Sequence, residues 1–152
     1  VAEKDSLNPM AKTGNYLNSI LGLIEAKNLQ AFDAVLLDHD DYVYEGTTNN
    51  LWIVKNNQVF TPPISRAILN GITRQFILSF QSQNFKMNEK DFLVDELLSA
   101  DEVFLTSSLK EIVPITKINN QLISNGLPGK ITKEIHSIYL HNIQLFINKG
   151  IV

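Results

Sequence analysis

The chain has 152 residues, 44% of them hydrophobic, with a formal charge of -3 and no cysteine. That length and composition fit one ordinary domain able to bury a core. The mildly acidic balance offers no basic face to a phosphate backbone, which sets nucleic acid aside, and the lack of cysteine removes disulfides, thiolate zinc sites and cysteine nucleophiles together.

No stretch approaches the roughly 18 consecutive apolar residues of a membrane span. The opening VAEKDSLNPM lacks the apolar core of a secretory signal, so the cytoplasm is the expected location. The chain begins at Val1 with a polar lead, and is expected to be a piece of something longer.

Apolar residues at Tyr16, Leu17, Ile20, Leu21, Leu23 and Ile24 recur at helical spacing and predict an amphipathic helix over 15–28. Alternating and β-branched runs at 32–37, 42–45, 51–55 and 58–60, punctuated by His39-Asp40-Asp41 and Asn56-Asn57, predict a run of antiparallel strands. Pro62 and Pro63 end the last of these, and Gly71-Ile72-Thr73 opens a second helix reaching Phe80. Further on, 86–92 reads as a short exposed strand, 95–99 as a short helix and 103–106 as a buried strand followed by a polar turn. Pro114 starts another strand through Ile118, Asn119-Asn120 is a hairpin signal, and 131–147 repeats apolar residues at helical spacing. The long last helix is expected to pack Ile135, Ile138, Tyr139, Ile143, Phe146 and Ile147 into the core. The mixed order predicts an α+β or barrel-like α/β fold rather than a doubly wound sheet.

Lys12 lies between Pro9 and the first helix, with Tyr16 four residues later. A lysine amine becomes a covalent catalyst only where it is partly neutral and rigidly placed, and a strand-to-helix junction supplies the second condition. Most lysines are solvated surface charges. Two segments offer donors to an anion: Gly71-Ile72-Thr73 at a helix start, and Thr106-Ser107-Ser108 in a turn after a buried strand. Such hydroxyls more often cap backbone groups. Glu45 ends a strand before Gly46-Thr47-Thr48-Asn49-Asn50, where a carboxylate can face a cationic ring nitrogen or simply be a surface charge. His136 and His141 are five apart, not the four that align two ligands on a helix, so no metal is expected.

In order, Lys12-Thr-Gly-Asn-Tyr16-Leu17, Glu45-Gly-Thr-Thr-Asn-Asn50-Leu-Trp, Thr61-Pro62-Pro63, Ile68-Leu69-Asn70-Gly71-Ile72-Thr73-Arg74, Ala100-Asp101-Glu102-Val103-Phe104 and Ser107-Ser108-Leu-Lys-Glu111-Ile112-Val-Pro114 resemble the blocks of class IV aminotransferases. The resemblance covers roughly residues 8–135. It implies the mixed α/β, barrel-like carboxy-terminal domain of the D-amino-acid aminotransferase-like enzymes. Residues 1–152 would then be one larger, cofactor-binding domain, with a smaller amino-terminal domain lying outside this chain. It implies pyridoxal 5'-phosphate as cofactor, held covalently by the Lys12 amine, which also moves the proton between the substrate α-carbon and the cofactor C4′. Tyr16 would hydrogen-bond the phenolate oxygen, Glu45 pair with the pyridine nitrogen, Asn50 support that carboxylate, and Leu69 pack on the ring face. Ile72, Thr73, Ser107 and Ser108 would hold the phosphate.

The activity implied is transfer of an amino group between an amino acid, branched-chain or D, and a 2-oxo acid, by a homodimer of the full-length protein. The Lys12 to Tyr16 spacing and Glu111-Ile-Val-Pro-Ile look more like the D-amino-acid aminotransferase and aminodeoxychorismate lyase branches. The lyase, releasing pyruvate and 4-aminobenzoate, is therefore the alternative activity, and a noncatalytic assembly domain the alternative of a different class. By itself this domain is expected to bind cofactor weakly or not at all.

Overall fold

The computed structural model describes residues 17–66 and 68–150. The chain runs α1 (Leu17–Asn28), β1 (Val35–Leu37), β2 (Val43–Gly46), β3 (Asn50–Lys55), β4 (Gln58–Thr61), a 3-10 turn (Ile64–Arg66), α2 (Ile72–Leu78), β5 (Lys86–Glu89), α3 (Val94–Leu98), β6 (Glu102–Ser107), β7 (Glu111–Ile115), β8 (Lys117–Ile118), β9 (Gln121–Leu122) and α4 (Lys130–Asn148). The fold is mixed α/β. Its centre is a five-stranded sheet in the order β5-β4-β3-β6-β7, accompanied by two-stranded pairs β1-β2 and β8-β9.

The pleat sorts the central strands between two cores, because successive side chains leave opposite faces. Trp52, Val54, Val59 and Phe104 bury one face against Ile77 of α2 and Ile131, Ile135 and Tyr139 of α4. Leu51, Ile53, Val103 and Leu105 bury the other against Val43, Phe92, Leu97 and Ala100. Trp52 and Phe104, cross-strand partners, stack with centroids 5.5 Å apart. On α4 the expected inward stripe holds for Ile135, Ile138, Tyr139 and Ile143, and Phe146 meets the Phe76 ring at 5.7 Å, whereas Ile147 is 53% exposed.

The antiparallel run expected over 32–60 is found as the pairs β1-β2 and β3-β4, and β5 joins the sheet parallel to β4, reached by a crossover through the 3-10 turn and α2. Two expectations are corrected. Pro114 does not start its strand but lies inside β7, opposite Phe104; β7 is an edge strand, where a missing N–H is tolerated. The first strand is shorter than 32–37: the chain bends at Phe32, which is exposed beneath the Lys110 ammonium, 4.5 Å from its ring centre, and β1 starts only at Val35. The Asn56-Asn57 hairpin is as expected, both residues at positive φ (50° and 60°), as its mirror-image turn requires. Asn119-Asn120 likewise joins β8 to β9.

The α4 start is capped from a distance. Gly129 supplies no side-chain cap, and Glu102 on β6 accepts from Ile131 N (2.9 Å), Thr132 N (2.7 Å) and the Thr132 hydroxyl (2.7 Å). A carboxylate at a helix N-terminus satisfies open N–H groups and the dipole at once. Glu102→Ala is expected to cost about 1–3 kcal/mol of stability, seen as a lower urea midpoint at unchanged slope.

Candidate active site

Glu45 and Asn50 flank a tight turn in which Gly46 N donates to Asn49 O at 2.8 Å. The turn returns the chain from β2 into β3 and sets the two side chains against each other. Asn50 Nδ2 donates to Glu45 Oε2 (3.3 Å) and to Leu69 O (2.7 Å), while Leu69 N donates to Glu45 Oε2 (3.3 Å). Three residues from two distant segments thus close a ring around one carboxylate oxygen. The Glu45 carboxyl is pushed up from 4.5 to about 7, by burial above all, against the opposing pull of the Leu69 N–H and the Arg74 charge.

Arg74 on α2 is 2% exposed. It donates to Pro62 O (2.9 Å) and Asn70 Oδ1 (3.3 Å) and pairs with Glu89. Its burial ties the start of α2 to the end of β4. Gly71, immediately before α2, lies so close to Asn50 that a Cβ there would stand 2.4 Å from Asn50 Oδ1.

The second donor segment lies alongside. Asn50 at the start of β3 pairs with Thr106 near the end of β6, so Glu45, Asn50 and the Thr106–Ser108 turn share one end of the sheet, and α2 packs on β6. Within it the hydroxyls differ. Thr106 is 1% exposed and accepts from the Trp52 indole at 2.9 Å, so its hydroxyl is committed to the core. Ser107 is half-buried and accepts from Lys110 N (3.1 Å), while Ser108 is exposed. On α2 Ile72 is 78% exposed and Thr73 buried. The Tyr139 phenol near Thr73 is pushed up by burial and by Glu111, with the Thr73 side chain opposing.

The structure therefore brings together Glu45, Asn50, Leu69 and the start of α2, with Ser107 and Ser108 at the same sheet end. Lys12 and Tyr16 lie outside the described residues. Sequence reasoning missed Asp33 and Arg74, as well as the backbone role of Leu69. Asp33 accepts from Ala34 N (2.8 Å), Thr47 N (3.2 Å), the Thr47 hydroxyl and the Asn49 side-chain amide. The sequence reading placed Asp33 inside the strand predicted over 32–37, where nothing set it apart; the structure starts β1 only at Val35. Among the described residues no group of three His, Asp or Glu could hold a metal ion, and no helix is long and apolar enough to cross a membrane.

A half-buried acid thus stands at one end of a mixed sheet, beside a helix start and a hydroxyl-bearing turn. Comparison with known proteins gives the family. Residues 1–118 match the family described as Amino-transferase class IV. The chain is 40% identical over 132 residues to a putative branched-chain-amino-acid aminotransferase of Methanocaldococcus jannaschii, covering 86% of this chain and 46% of that protein. It is 39% identical over 133 residues to a D-alanine aminotransferase of Bacillus licheniformis, covering 87% and 47%. Among solved structures, the branched-chain amino acid aminotransferase of Escherichia coli superposes with a TM-score of 0.87 at 32% identity, over 92% of this chain and 48% of that one. The enzyme of Thermobaculum terrenum, in its PLP form, gives 0.86 at 31% identity, over 93% and 47%. The chain belongs to the class IV aminotransferase family. It spans about half the length of the relatives it matches.

Proposed function

We propose that this chain is the cofactor-binding domain of a pyridoxal-phosphate aminotransferase that moves an amino group between a branched-chain or D-amino acid and a 2-oxo acid. The observation that carries the reading is the Glu45 carboxylate, half-buried and held by Asn50 and the Leu69 backbone at one end of the sheet. Among the described residues no Lys or Arg forms an ion pair with Glu45, and a carboxylate shielded from water without one is costly; a protonated ring nitrogen would relieve it. The residues present fit the group: an acid for the ring nitrogen, a glycine-flanked helix start and a hydroxyl turn for the phosphate.

When bound, pyridoxal 5'-phosphate supplies an electron sink for charge developing at the substrate α-carbon. Glu45 keeps the proton on the ring nitrogen, and Asn50 orients Glu45. Leu69 would pack against the ring, and Ile72, Thr73, Ser107 and Ser108 would hold the phosphate through backbone and hydroxyl donors. The Lys12 amine would hold the cofactor and carry the proton to and from the substrate α-carbon, and Tyr16 would hydrogen-bond the phenolate oxygen. In the same reading the strands close toward a barrel, a smaller domain completes the substrate pocket, and two copies associate. The stripe of Leu17, Ile20, Leu21 and Ile24 on α1, each at least half exposed, supports a covering partner.

The test uses the full-length protein with pyridoxal 5'-phosphate. Amino transfer from a branched-chain amino acid or D-alanine that depends on added 2-oxoglutarate is the expected result. Pyruvate released from 4-amino-4-deoxychorismate with no amino acceptor would assign the lyase instead, and failure to take up the cofactor would leave an assembly domain.

A further inference from the structure

We infer that Asp33 is a positioning residue: its carboxylate fixes the turn between β2 and β3, and through that turn fixes the facing of Glu45 and Asn50. The inference rests on the functional reading above and extends it to a residue that touches neither Glu45 nor Asn50 by a hydrogen bond. Asp33 is 14 and 16 residues away from its partners Thr47 and Asn49, so the contact is tertiary.

Four donors converge on this one side chain. Oδ1 accepts from Ala34 N, Thr47 N and the Thr47 hydroxyl, and Oδ2 accepts from Asn49 Nδ2. Among the described residues no Lys or Arg pairs with it. The charge is held by oriented N–H and O–H groups, an arrangement that fixes geometry because each donor has its own direction. Thr47 and Asn49 are both 4% exposed, so neither can turn to water if the acceptor is lost.

The Asn49 amide can sit only one way round. Reversing it would set its oxygen against Asp33 Oδ2, two acceptors face to face, whereas the Thr48 hydroxyl at 3.2 Å can donate or accept and allows either orientation. The turn is boxed on its other side, where a Cβ added to Gly22 of α1 would meet Thr47 Cγ2 at 3.3 Å. Glu45 and Asn50 are the residues entering and leaving this box. Their 3.3 Å contact is long enough that a small shift of the turn breaks it.

The test exchanges the two partners. In the full-length protein, Asp33→Ala removes the acceptor, Asn49→Asp sets two carboxylates face to face, and Asp33→Asn with Asn49→Asp restores one donor opposite one acceptor. Dissociation constants for pyridoxal 5'-phosphate are read by titrating its visible absorbance, with the melting temperature of the cofactor-free protein followed alongside. Each single change is expected to weaken binding at least tenfold, and the exchange to recover most of that loss, on a scale where tenfold is about 1.4 kcal/mol. Recovery of the melting temperature without recovery of binding would overturn the inference, as would single variants that bind like wild type. Should a single variant fail to fold, the exchanged protein alone decides, since wild-type binding supports the inference and weak binding in a folded protein refutes it. If wild type takes up no cofactor, the functional reading itself falls, an outcome distinct from the others.

Discussion

Glu45→Gln is expected to act in opposite directions on folding and on turnover. Burial holds the Glu45 carboxyl at about 7 in the cofactor-free protein, against 4.5 when exposed. Between those values the native state keeps a proton that the unfolded chain has lost. Stability therefore falls as pH rises from about 4.5 to 7 and stays low above it. The loss is on the order of 3 kcal/mol at pH 8. Gln carries no charge to bury, and its carbonyl can still accept from Leu69 N and Asn50 Nδ2. Melting curves without cofactor should show the variant more stable than wild type at pH 8, the two converging near pH 5.

Turnover should move the other way. A neutral amide cannot hold a positive charge at the ring nitrogen, and losing one preorganised electrostatic partner costs on the order of 10²–10³ in rate. A variant as active as wild type would remove Glu45 from the chemistry. A variant less stable than wild type at pH 8 would show that the carboxylate is not under strain from burial.

Which parts of this were legible in the sequence follows from the range of the interactions. Asn56-Asn57 announced a hairpin because a two-residue mirror-image turn needs positive φ, and asparagine tolerates it. The alternation in 51–55 and 103–106 announced strands but not that both faces are buried, since two cores at period two look like one apolar run. The parallel β4-β5 pairing was hidden, because direction is set by the crossover and not by either strand. Periodicity located α1 correctly while saying nothing of what its apolar stripe would meet, and Leu17, Ile20, Leu21 and Ile24 stand exposed.

The site divides the same way. Glu45 was readable from its place at a strand end before a turn-rich loop, and Asn50 beside it only from what the family resemblance implies. Leu69 contributes through N–H and C=O groups that every residue owns, so no residue type marked it. Asp33 and Arg74 act across 14 residues or more of chain, on Thr47 and Glu89 respectively. Thr106 was read with Ser107 and Ser108 as offering hydroxyls to an anion; its burial within β6 and its acceptance from the Trp52 indole belong to packing that only the paired strands reveal.

Gly71→Ala is the second change of large expected effect, and it separates steric causes from backbone ones. Gly71 has ordinary extended angles (φ -62°, ψ 142°), which any residue adopts. A methyl there costs nothing in backbone strain, and as an unfolded-chain effect it should even stabilise slightly. Its Cβ, however, would stand 2.4 Å from Asn50 Oδ1. Asn50 is 5% exposed and anchored at 2.7 Å to Leu69 O, so its amide can retreat only by releasing Leu69 and Glu45 together. The expected result is a stability loss of about 1–3 kcal/mol from the orphaned buried groups and at least a tenfold weaker hold on pyridoxal 5'-phosphate. Gly46→Ala is the control: its Cβ would meet Asn49 O, Asp33 Oδ2 and Leu105 Cδ2 at 3.4–3.5 Å, near ordinary contact, and should change little. The decisive comparison is with Asn50→Ala, which removes the atom that the methyl strikes. If the clash acts through Asn50, adding Gly71→Ala to Asn50→Ala costs no further stability or affinity. If the two losses add in full, the glycine serves something else, most directly close approach of a ligand to the start of α2.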